Sequence, residues 1–166
     1  MRLARKLGIA LALAMLAVAP VSGAGATPAE WNRMKSLVGA WKGTAEGKPV
    51  AVTYALVSNG TALMETLDGD HDMTMITMYA PDGASLLATH YCAAGNQPRM
   101  RATGSPDGRS LAFEFVDVAN ASGSPAEVMR KLVVTFVDAD HFRQTWTSRA
   151  ADGKEHSSVF AYARVK

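Results

Sequence analysis

The sequence predicts an all-β protein, a closed antiparallel meander barrel of about ten strands with one short N-terminal helix. After residue 39 the spacing of apolar residues changes from the helical period of 3.6 to the strand period of 2, which persists to the C-terminus. Turn-forming pairs separate the apolar runs at Asn59-Gly60, Asp82-Gly83, Asp107-Gly108 and Asp152-Gly153. We expect the sheet to close on itself, because an open sheet of ten strands would leave two exposed edges.

The first 26 residues have the three-part pattern of a secretory signal peptide. Arg2, Arg5 and Lys6 precede an apolar run from Leu7 to Val21, and Ala24-Gly25-Ala26 forms a small-x-small cleavage site. The run is too short for a convincing membrane span. We therefore expect residues 1–26 to be removed and residues 27–166 to form one exported barrel domain, periplasmic or extracellular, without stable membrane insertion.

Removal of this segment changes the charge balance. The whole chain has 17 basic and 15 acidic residues, a net charge of +2. The signal holds three of the basic residues and no acidic one, which leaves a net charge of −1. A near-neutral domain with interspersed charges argues against nucleic acid as a partner. The single cysteine, Cys92, cannot form an intramolecular disulfide, so it is buried, reactive or paired with another chain.

The helix is predicted from Pro28 to Val38. Thr27 is a candidate cap, Glu30 lies three residues after it, and Gly39 ends the helix. Its apolar face consists of Trp31, Met34, Leu37 and Val38.

Ten strands are predicted to follow the helix. They are Ala40–Glu46, Val50–Val57, Thr61–Leu67, Met73–Ala80, Leu86–Ala93, Arg99–Thr103, Ser110–Val118, Lys131–Val137, Phe142–Arg149 and Ser157–Val165. The one longer connection is the polar segment Ala119–Glu127. Because a barrel wider than about eight strands leaves interior volume, we expect an internal pocket.

Gly39-Ala40-Trp41 at the start of the first strand, with Gly43 and Gly47 beyond it, resembles the G-x-W signature of lipocalins and other calycins. A tryptophan here would plug the closed end of the barrel. The resemblance also implies an arginine from the last strand lying across the tryptophan face, and Arg164 is in place for that cation–π contact.

Within the calycins, the T-H-Y-C and G-N-Q-P-R-M segments at 89–92 and 95–100 resemble those of exported bacterial proteins of uncharacterised function. That resemblance implies a lipocalin-like barrel and no particular activity. The ten-strand count is also similar to that of the haem-binding nitrobindin barrels. Those ligate iron through a histidine near the C-terminal end, where this chain has His156.

The first candidate site is the stretch from Leu86 to Met100. His90 and Cys92 are two residues apart and so are predicted on one strand face, with Tyr91 on the other. On the functional interpretation His90 binds a ligand or metal in the cavity, with Asn96, Gln97 and Arg99 as polar selectors at its mouth. The alternative is a hydrogen-bonded core histidine, an inert buried cysteine and a Gly95-Asn96 hairpin turn. Catalysis by Cys92 would need an activating base and an orienting third group, and Asn96 could serve as the third group only if the turn folds back.

The second candidate is the segment from Asp68 to Met78. His71, Met73 and Met75 alternate, so a strand would present them together as soft ligands for copper(I). The alternative is a methionine-lined apolar wall. The neighbouring Asp68, Asp70 and Asp72 lack the rest of any calcium loop, and a solvated acidic hairpin is the better interpretation.

Glu65 is the third candidate. It lies on the strand face shared with Leu63 and Leu67, where a buried carboxylate would need a partner such as Arg99 or Arg101. An inward Glu65 would form a polar floor for a ligand, and an outward, solvated Glu65 remains the alternative.

Three hypotheses of function follow. The first is an exported lipocalin-like protein that binds a small, largely apolar ligand inside the barrel. The second is a haem- or copper-binding barrel, or an enzyme built on that site, and the third is an interaction module of the cell envelope with a solid core. No cofactor is predicted beyond haem or copper as candidates. The proposed ligand-binding residues are His90, Tyr91, Cys92, Asn96, Gln97, Arg99, Glu65, Met73, Met75 and Trp146, with Phe113 and Phe115 in the apolar wall.

Overall fold

The computed structural model describes residues 29–68, 74–104, 108–121 and 127–166. The predicted signal peptide and the helix cap at Thr27 and Pro28 therefore lie outside the described residues. Within the described part, no helix is long and apolar enough to span a membrane.

The fold is all-β, as predicted, with one short helix and ten strands. The helix is α1, Ala29–Lys35. The strands are β1 (Gly39–Ala45), β2 (Lys48–Val57), β3 (Ala62–Asp68), β4 (Met75–Asp82), β5 (Ser85–Tyr91), β6 (Gln97–Gly104), β7 (Ser110–Ala119), β8 (Glu127–Phe136), β9 (His141–Ala150) and β10 (Glu155–Arg164). Each strand pairs antiparallel with its sequence neighbours, and β1 pairs with β10 to close the barrel. The glycine of each predicted turn pair has a positive φ: 80° at Gly60, 62° at Gly83, 60° at Gly108 and 84° at Gly153.

Four predicted strands begin two or more residues too late: β2 and β10 begin at Lys48 and Glu155 and not at Val50 and Ser157, and the other two have identifiable causes. The prediction starts one at Lys131, whereas β8 begins at Glu127, and the register against β9 shifts between Met129 and Lys131. Such a bulge interrupts the period-2 alternation from which a strand is predicted. Similarly, β6 begins at Gln97 and not at the predicted Arg99. Pro98 belongs to the strand and pairs with Val118, although proline is disfavoured within strands.

Alternate side chains of each strand fill the barrel, and α1 covers one end of it. Trp31 and Met34 of the helix are buried, and the guanidinium of Arg33 lies 4.8 Å from the ring centroid of Phe136 at the end of β8. We call the opposite end the distal end. There the odd-numbered strands β1 to β9 finish and the even-numbered strands β2 to β10 begin.

Trp41 of β1 and Arg164 of β10 contact each other at the helix end, where the first and last strands pair to close the barrel. They face each other across the β1–β10 pair, and the guanidinium lies 4.0 Å from the indole centroid, as the resemblance implies. Trp41 Nε1 donates to the carbonyl oxygen of Leu37 at 2.7 Å. Arg164 donates from Nη1 to Val38 O and from Nη2 to Ser36 O, at 3.0 and 2.9 Å. One side chain therefore ties the last strand to the helix–strand junction.

Replacing Arg164 with alanine is expected to lower the free energy of unfolding by about 2–3 kcal/mol. The substitution removes the cation–π contact and leaves carbonyl groups of the junction without their donor. Urea unfolding at neutral pH measures the effect. Arg143→Ala on the outer face of β9 is the control, and an equal loss in both variants would contradict the assignment.

Candidate functional site

The inward side chains at the distal end form an apolar bowl. Its members, called the distal bowl below, are Val50, Leu67, Met75, Met129, Trp146 and Phe160. Leu67 and Trp146 are buried, and the other four are only partly buried. A cleft of about 210 Å³ runs between β1, β2 and β10 and reaches Val50, Phe160 and Ser158. Four of the six described members of the bowl are therefore partly open to solvent.

His90 faces the interior from β5, beside the distal bowl. It is 4% exposed, and its ring centroid lies 4.7 Å from that of Trp146. Its Nδ1 and the hydroxyl of Thr77 are 2.9 Å apart. Its Nε2 is buried without a hydrogen-bond partner among the described residues. One ring nitrogen is therefore held by the protein, and the other is left unsatisfied.

Burial also determines the charge of this histidine. It lowers the pKa of His90 from 6.5 to about 4, so the imidazole is neutral at neutral pH. The Thr77 hydroxyl can donate to Nδ1 or accept from it. Consequently Nε2 can present either an N–H or a lone pair, depending on the tautomer.

Cys92 lies outside β5, in the turn that leads to β6, and so does not share a strand face with His90. Its N–H donates to Asn96 O at 3.1 Å, and its sulfur accepts from the N–H of Ala94 at 3.5 Å. Burial raises the pKa of the Cys92 thiol. A thiol with a raised pKa is a poor nucleophile at neutral pH, which weakens the case for a cysteine-based reaction.

Asn96 and Gln97 hold the same turn in place. Asn96 is 1% exposed, and its Nδ2 donates to Glu127 O at 2.9 Å, which joins the turn to the start of β8. Gln97 Nε2 donates to Gly95 O at 3.1 Å. Gln97 thus makes a contact within the turn and Asn96 a contact to β8, and the Oδ1 of Asn96 is buried without a partner among the described residues.

Tyr91 and Arg99 lie on the outer surface of the barrel. Tyr91 is 49% exposed, and Arg99 forms a two-pronged ion pair with Asp117 of β7. The structure therefore separates these two side chains from His90, although all three are close in sequence.

Glu65 faces inward, and its partners are not arginines. Arg99 and Arg101 pair with aspartates outside the barrel, whereas Glu65 is 2% exposed inside it. Its Oε2 accepts from Tyr54 Oη at 2.9 Å and from Tyr79 Oη at 2.6 Å.

Gln144 completes this buried cluster and connects it to the distal bowl. Its Nε2 donates to Glu65 Oε2 and to Tyr54 Oη, at 2.9 and 2.8 Å, and its Oε1 accepts from Trp146 Nε1 at 3.3 Å. Desolvation raises the pKa of Glu65 above its ordinary value of 4.5, although the three donors act in the opposite direction. Sequence reasoning missed Tyr54, Tyr79 and Gln144. The available signal was the presence of polar groups at inward positions of β2, β4 and β9.

The proposed metal ligands are distributed as follows. His71, Met73, Asp70 and Asp72 lie outside the described residues, and Met75 lines the distal bowl. His156 lies exposed at the distal rim, with Nε2 3.3 Å from Glu46 Oε1. Within the described ranges, no group of three or more His, Cys, Asp or Glu side chains is placed to hold a metal ion.

Two phenylalanines were predicted in the apolar wall. Phe113 is buried, and the ring centroid of Phe115 lies 4.0 Å from the guanidinium of Arg130.

The buried neutral state of His90 predicts a pH dependence of stability. Since its pKa falls from 6.5 to about 4 on folding, the unfolded chain binds a proton in this window and the folded chain does not. Stability is therefore lost as the pH falls from 6.5 towards 4, by roughly 3 kcal/mol for this group. Urea unfolding across the window should show a shallower decline for His90→Phe than for the unmodified protein. Identical declines would contradict the prediction.

No family model and no curated protein matches this chain. Solved structures do match this chain in fold. A protein of unknown function from the DUF3598 family of Nostoc punctiforme superposes with a TM-score of 0.55 and 16% identity, over 80% of this chain and 48% of its own. Rv2717c from M. tuberculosis gives 0.57 and 17%, over 81% of this chain and 96% of its own. This chain thus spans about half the length of the Nostoc protein. The likeness shows the fold alone, and it fits a lipocalin-like barrel.

Proposed function

We propose that this protein binds a small, largely apolar molecule in the distal bowl, with one polar atom of the ligand on Nε2 of His90. The observation that carries the proposal is the buried, unpartnered Nε2. A buried polar atom without a partner costs about 1–3 kcal/mol, and native proteins contain few of them. A ligand that supplies the missing hydrogen bond would recover that cost.

The surroundings of His90 support an apolar ligand. Binding sites for small molecules are mainly apolar, with a few polar groups that fix orientation. The distal bowl supplies two methionines, an indole and a phenyl ring, and the charged side chains of Glu46, Lys48 and Asp68 line the cleft at its rim. The neutral imidazole favours an uncharged hydroxyl, amine or carbonyl on the ligand.

The compartment forms part of the same proposal. The first 26 residues support export, and one unpaired cysteine is compatible with an oxidising compartment. A lipocalin-like protein exported in this way would carry or sequester an apolar molecule outside the cytoplasm. Membership of the calycins is supported by the Trp41–Arg164 contact.

Native mass spectrometry of the purified protein, combined with titration of N-phenyl-1-naphthylamine, tests the proposal. This uncharged dye brightens in apolar sites and carries one N–H. We expect saturable binding that is about tenfold weaker in His90→Phe, the loss of one hydrogen bond. The matched control is His141→Phe, an exposed histidine at the start of β9. Absence of both a retained mass and dye binding, or equal affinity in both variants, would refute the site.

A haem site is the second candidate function, and the unpartnered Nε2 of His90 favours it as well. A neutral imidazole with a free Nε2 is the form that ligates a metal, and haem requires only one protein ligand. Addition of hemin should then produce a Soret band that is lost in His90→Phe. A band that persists in that variant and disappears in His156→Ala would assign the ligand to His156. If the unmodified protein shows no Soret band after addition of hemin, haem is excluded.

A further inference from the structure

Asn96 leaves a second buried polar atom without a partner at the distal end. The side chain is 1% exposed, and its Nδ2 donates to Glu127 O at 2.9 Å, whereas its Oδ1 has no hydrogen-bond partner among the described residues. Turning the amide round would place Oδ1 against the carbonyl oxygen of Glu127, an acceptor facing an acceptor. The unpartnered atom is therefore the acceptor of the amide, and it requires a donor.

Asn96 lies on the inner side of the barrel. Asn96, Pro98 and Met100 are buried, and Arg99 between the last two is exposed, so Asn96 continues the inward alternation of β6. Its Nδ2 reaches past β7 to the backbone of Glu127 at the start of β8. The amide thus lies inside the distal rim.

The register of the β5–β6 hairpin brings Asn96 close to His90. Thr89 pairs with Arg99, and the Cys92 N–H donates to Asn96 O at 3.1 Å in the same register. This register sets His90 opposite the residue two positions beyond Asn96, which makes His90 and Asn96 diagonal neighbours. Diagonal neighbours on one face of an antiparallel pair lie about 7–8 Å apart, with their Cβ atoms somewhat closer.

The free nitrogen of His90 faces the side of β5 on which Asn96 lies. Thr77 of β4 holds Nδ1 at 2.9 Å, and β4 and β6 flank β5 on opposite sides. Nε2, on the other side of the imidazole ring, therefore points away from β4. One oxygen atom that bonds both Nε2 and Oδ1, at about 2.8 Å each, spans up to about 5.6 Å, a separation that side chains of diagonal neighbours reach.

We propose that the ligand of the distal bowl is an uncharged apolar alcohol, whose hydroxyl group donates to Asn96 Oδ1 and accepts from His90 Nε2–H. The inference rests on the proposed function and narrows its ligand class from a hydroxyl, amine or carbonyl group to the hydroxyl group. A carbonyl group offers only acceptors and leaves Oδ1 without a donor. An aliphatic amine is protonated at neutral pH, and its charge would be costly to bury without a charged partner. Asn96 is then the residue that selects the alcohol.

The arrangement also determines the tautomer of His90 in the complex. Because the hydroxyl proton goes to Asn96, Nε2 must carry the imidazole proton, and Nδ1 must accept from the Thr77 hydroxyl. Nitrogen NMR of the imidazole in the complex with menthol, an apolar alcohol, should show the Nε2–H form. The Nδ1–H form would overturn the inference.

Displacement of N-phenyl-1-naphthylamine by menthol and by menthone tests the selection directly. The two compounds share a carbon skeleton, and menthone has a carbonyl group in place of the hydroxyl group. We expect menthol to bind the unmodified protein about tenfold more tightly, the contribution of one hydrogen bond. In Asn96→Ala the ratio of the two affinities should fall to about one. The matched control is Gln97→Ala, which removes an amide bonded within the same turn and should keep the ratio.

The ratio separates recognition from damage to the fold, because a distorted bowl weakens both compounds alike. The His90→Phe variant should weaken both compounds and keep the preference for menthol, since each of them accepts from Nε2–H. Dye binding that menthol displaces no better than menthone would overturn the inference and leave the proposed function standing, as would a preference that survives Asn96→Ala. Absence of dye binding to the unmodified protein would overturn both.

Discussion

Gly43→Ala should prevent the barrel from closing and leave little folded protein at ambient temperature. A Cβ atom added at Gly43 would lie 1.8 Å from the carbonyl oxygen of Ala161 and 2.8 Å from its carbonyl carbon, both backbone atoms of β10. Backbone in the middle of a ladder cannot move aside as a flexible side chain can. Gly43 pairs with Tyr162 across the β1–β10 seam, so the clash falls on the strand pair that closes the sheet. We expect a loss of more than about 4 kcal/mol, in the exceptional range for a single substitution.

Gly47→Ala is the control for this prediction. A Cβ there meets nothing within 4 Å, but the residue has a φ of 79°, which costs an alanine about 1 kcal/mol. Soluble yield, circular dichroism and thermal unfolding of the two variants distinguish steric exclusion from a general cost of replacing glycine. A Gly43→Ala protein with the melting temperature of Gly47→Ala would show that the seam is not as close as described.

Glu65→Ala should lower the free energy of unfolding by about 3–4 kcal/mol. The substitution leaves the hydroxyls of Tyr54 and Tyr79 and the amide of Gln144 without their shared acceptor, and it opens a cavity in the barrel. In a domain of this size the melting temperature should fall by roughly 10 °C. Glu65→Gln keeps an acceptor oxygen at the same place and should retain most of the stability. Equal losses in the two variants would show that the carboxyl group itself, not an acceptor at this position, is required.

The same carboxyl group should give stability a pH dependence opposite to that of His90. Because burial raises the pKa of Glu65 above 4.5, the folded chain holds a proton in the window just above that value and the unfolded chain does not. The free energy of unfolding therefore falls as the pH rises from 4.5 through the folded pKa. Subtracting the Glu65→Gln curve from that of the unmodified protein isolates this contribution. Glu114→Gln, an exposed partner of Lys131, is the control, and a flat difference curve for Glu65→Gln would contradict the raised pKa.

The barrel itself could be predicted because its causes are local. Alternation along each strand, glycine in the turns and the change of period after residue 39 depend on residues within a few positions of one another. The errors occurred where local rules fail. The bulge in β8 interrupts the alternation, so the prediction omitted the first four residues of that strand. Pro98 led the prediction to start β6 after the proline.

The candidate site could be predicted only in part. Inward placement of His90 follows from alternation with Leu86 and Ala88, which are buried as expected. The outward position of Tyr91 follows from the same alternation, whereas the turn at Asn96 and the position of Arg99 depend on where β5 ends and how β6 pairs with β7. A register shift between Arg99 and Met100 changes which side chains meet, and nothing in the local composition announces it.

The sequence alone determined the class of fold and the number of strands, because periodicity suffices for these features, and the contact of Trp41 with Arg164 was implied by the resemblance to lipocalins. The tertiary structure decided which polar groups meet inside the barrel. Glu65, Tyr54, Tyr79 and Gln144 come from four strands, and Gln144 lies 90 positions from Tyr54 along the chain. Their contact depends on barrel closure and on the register of every intervening strand. The unpartnered Nε2 of His90 has the same origin, since an unmade hydrogen bond becomes visible only when all neighbouring side chains are in place.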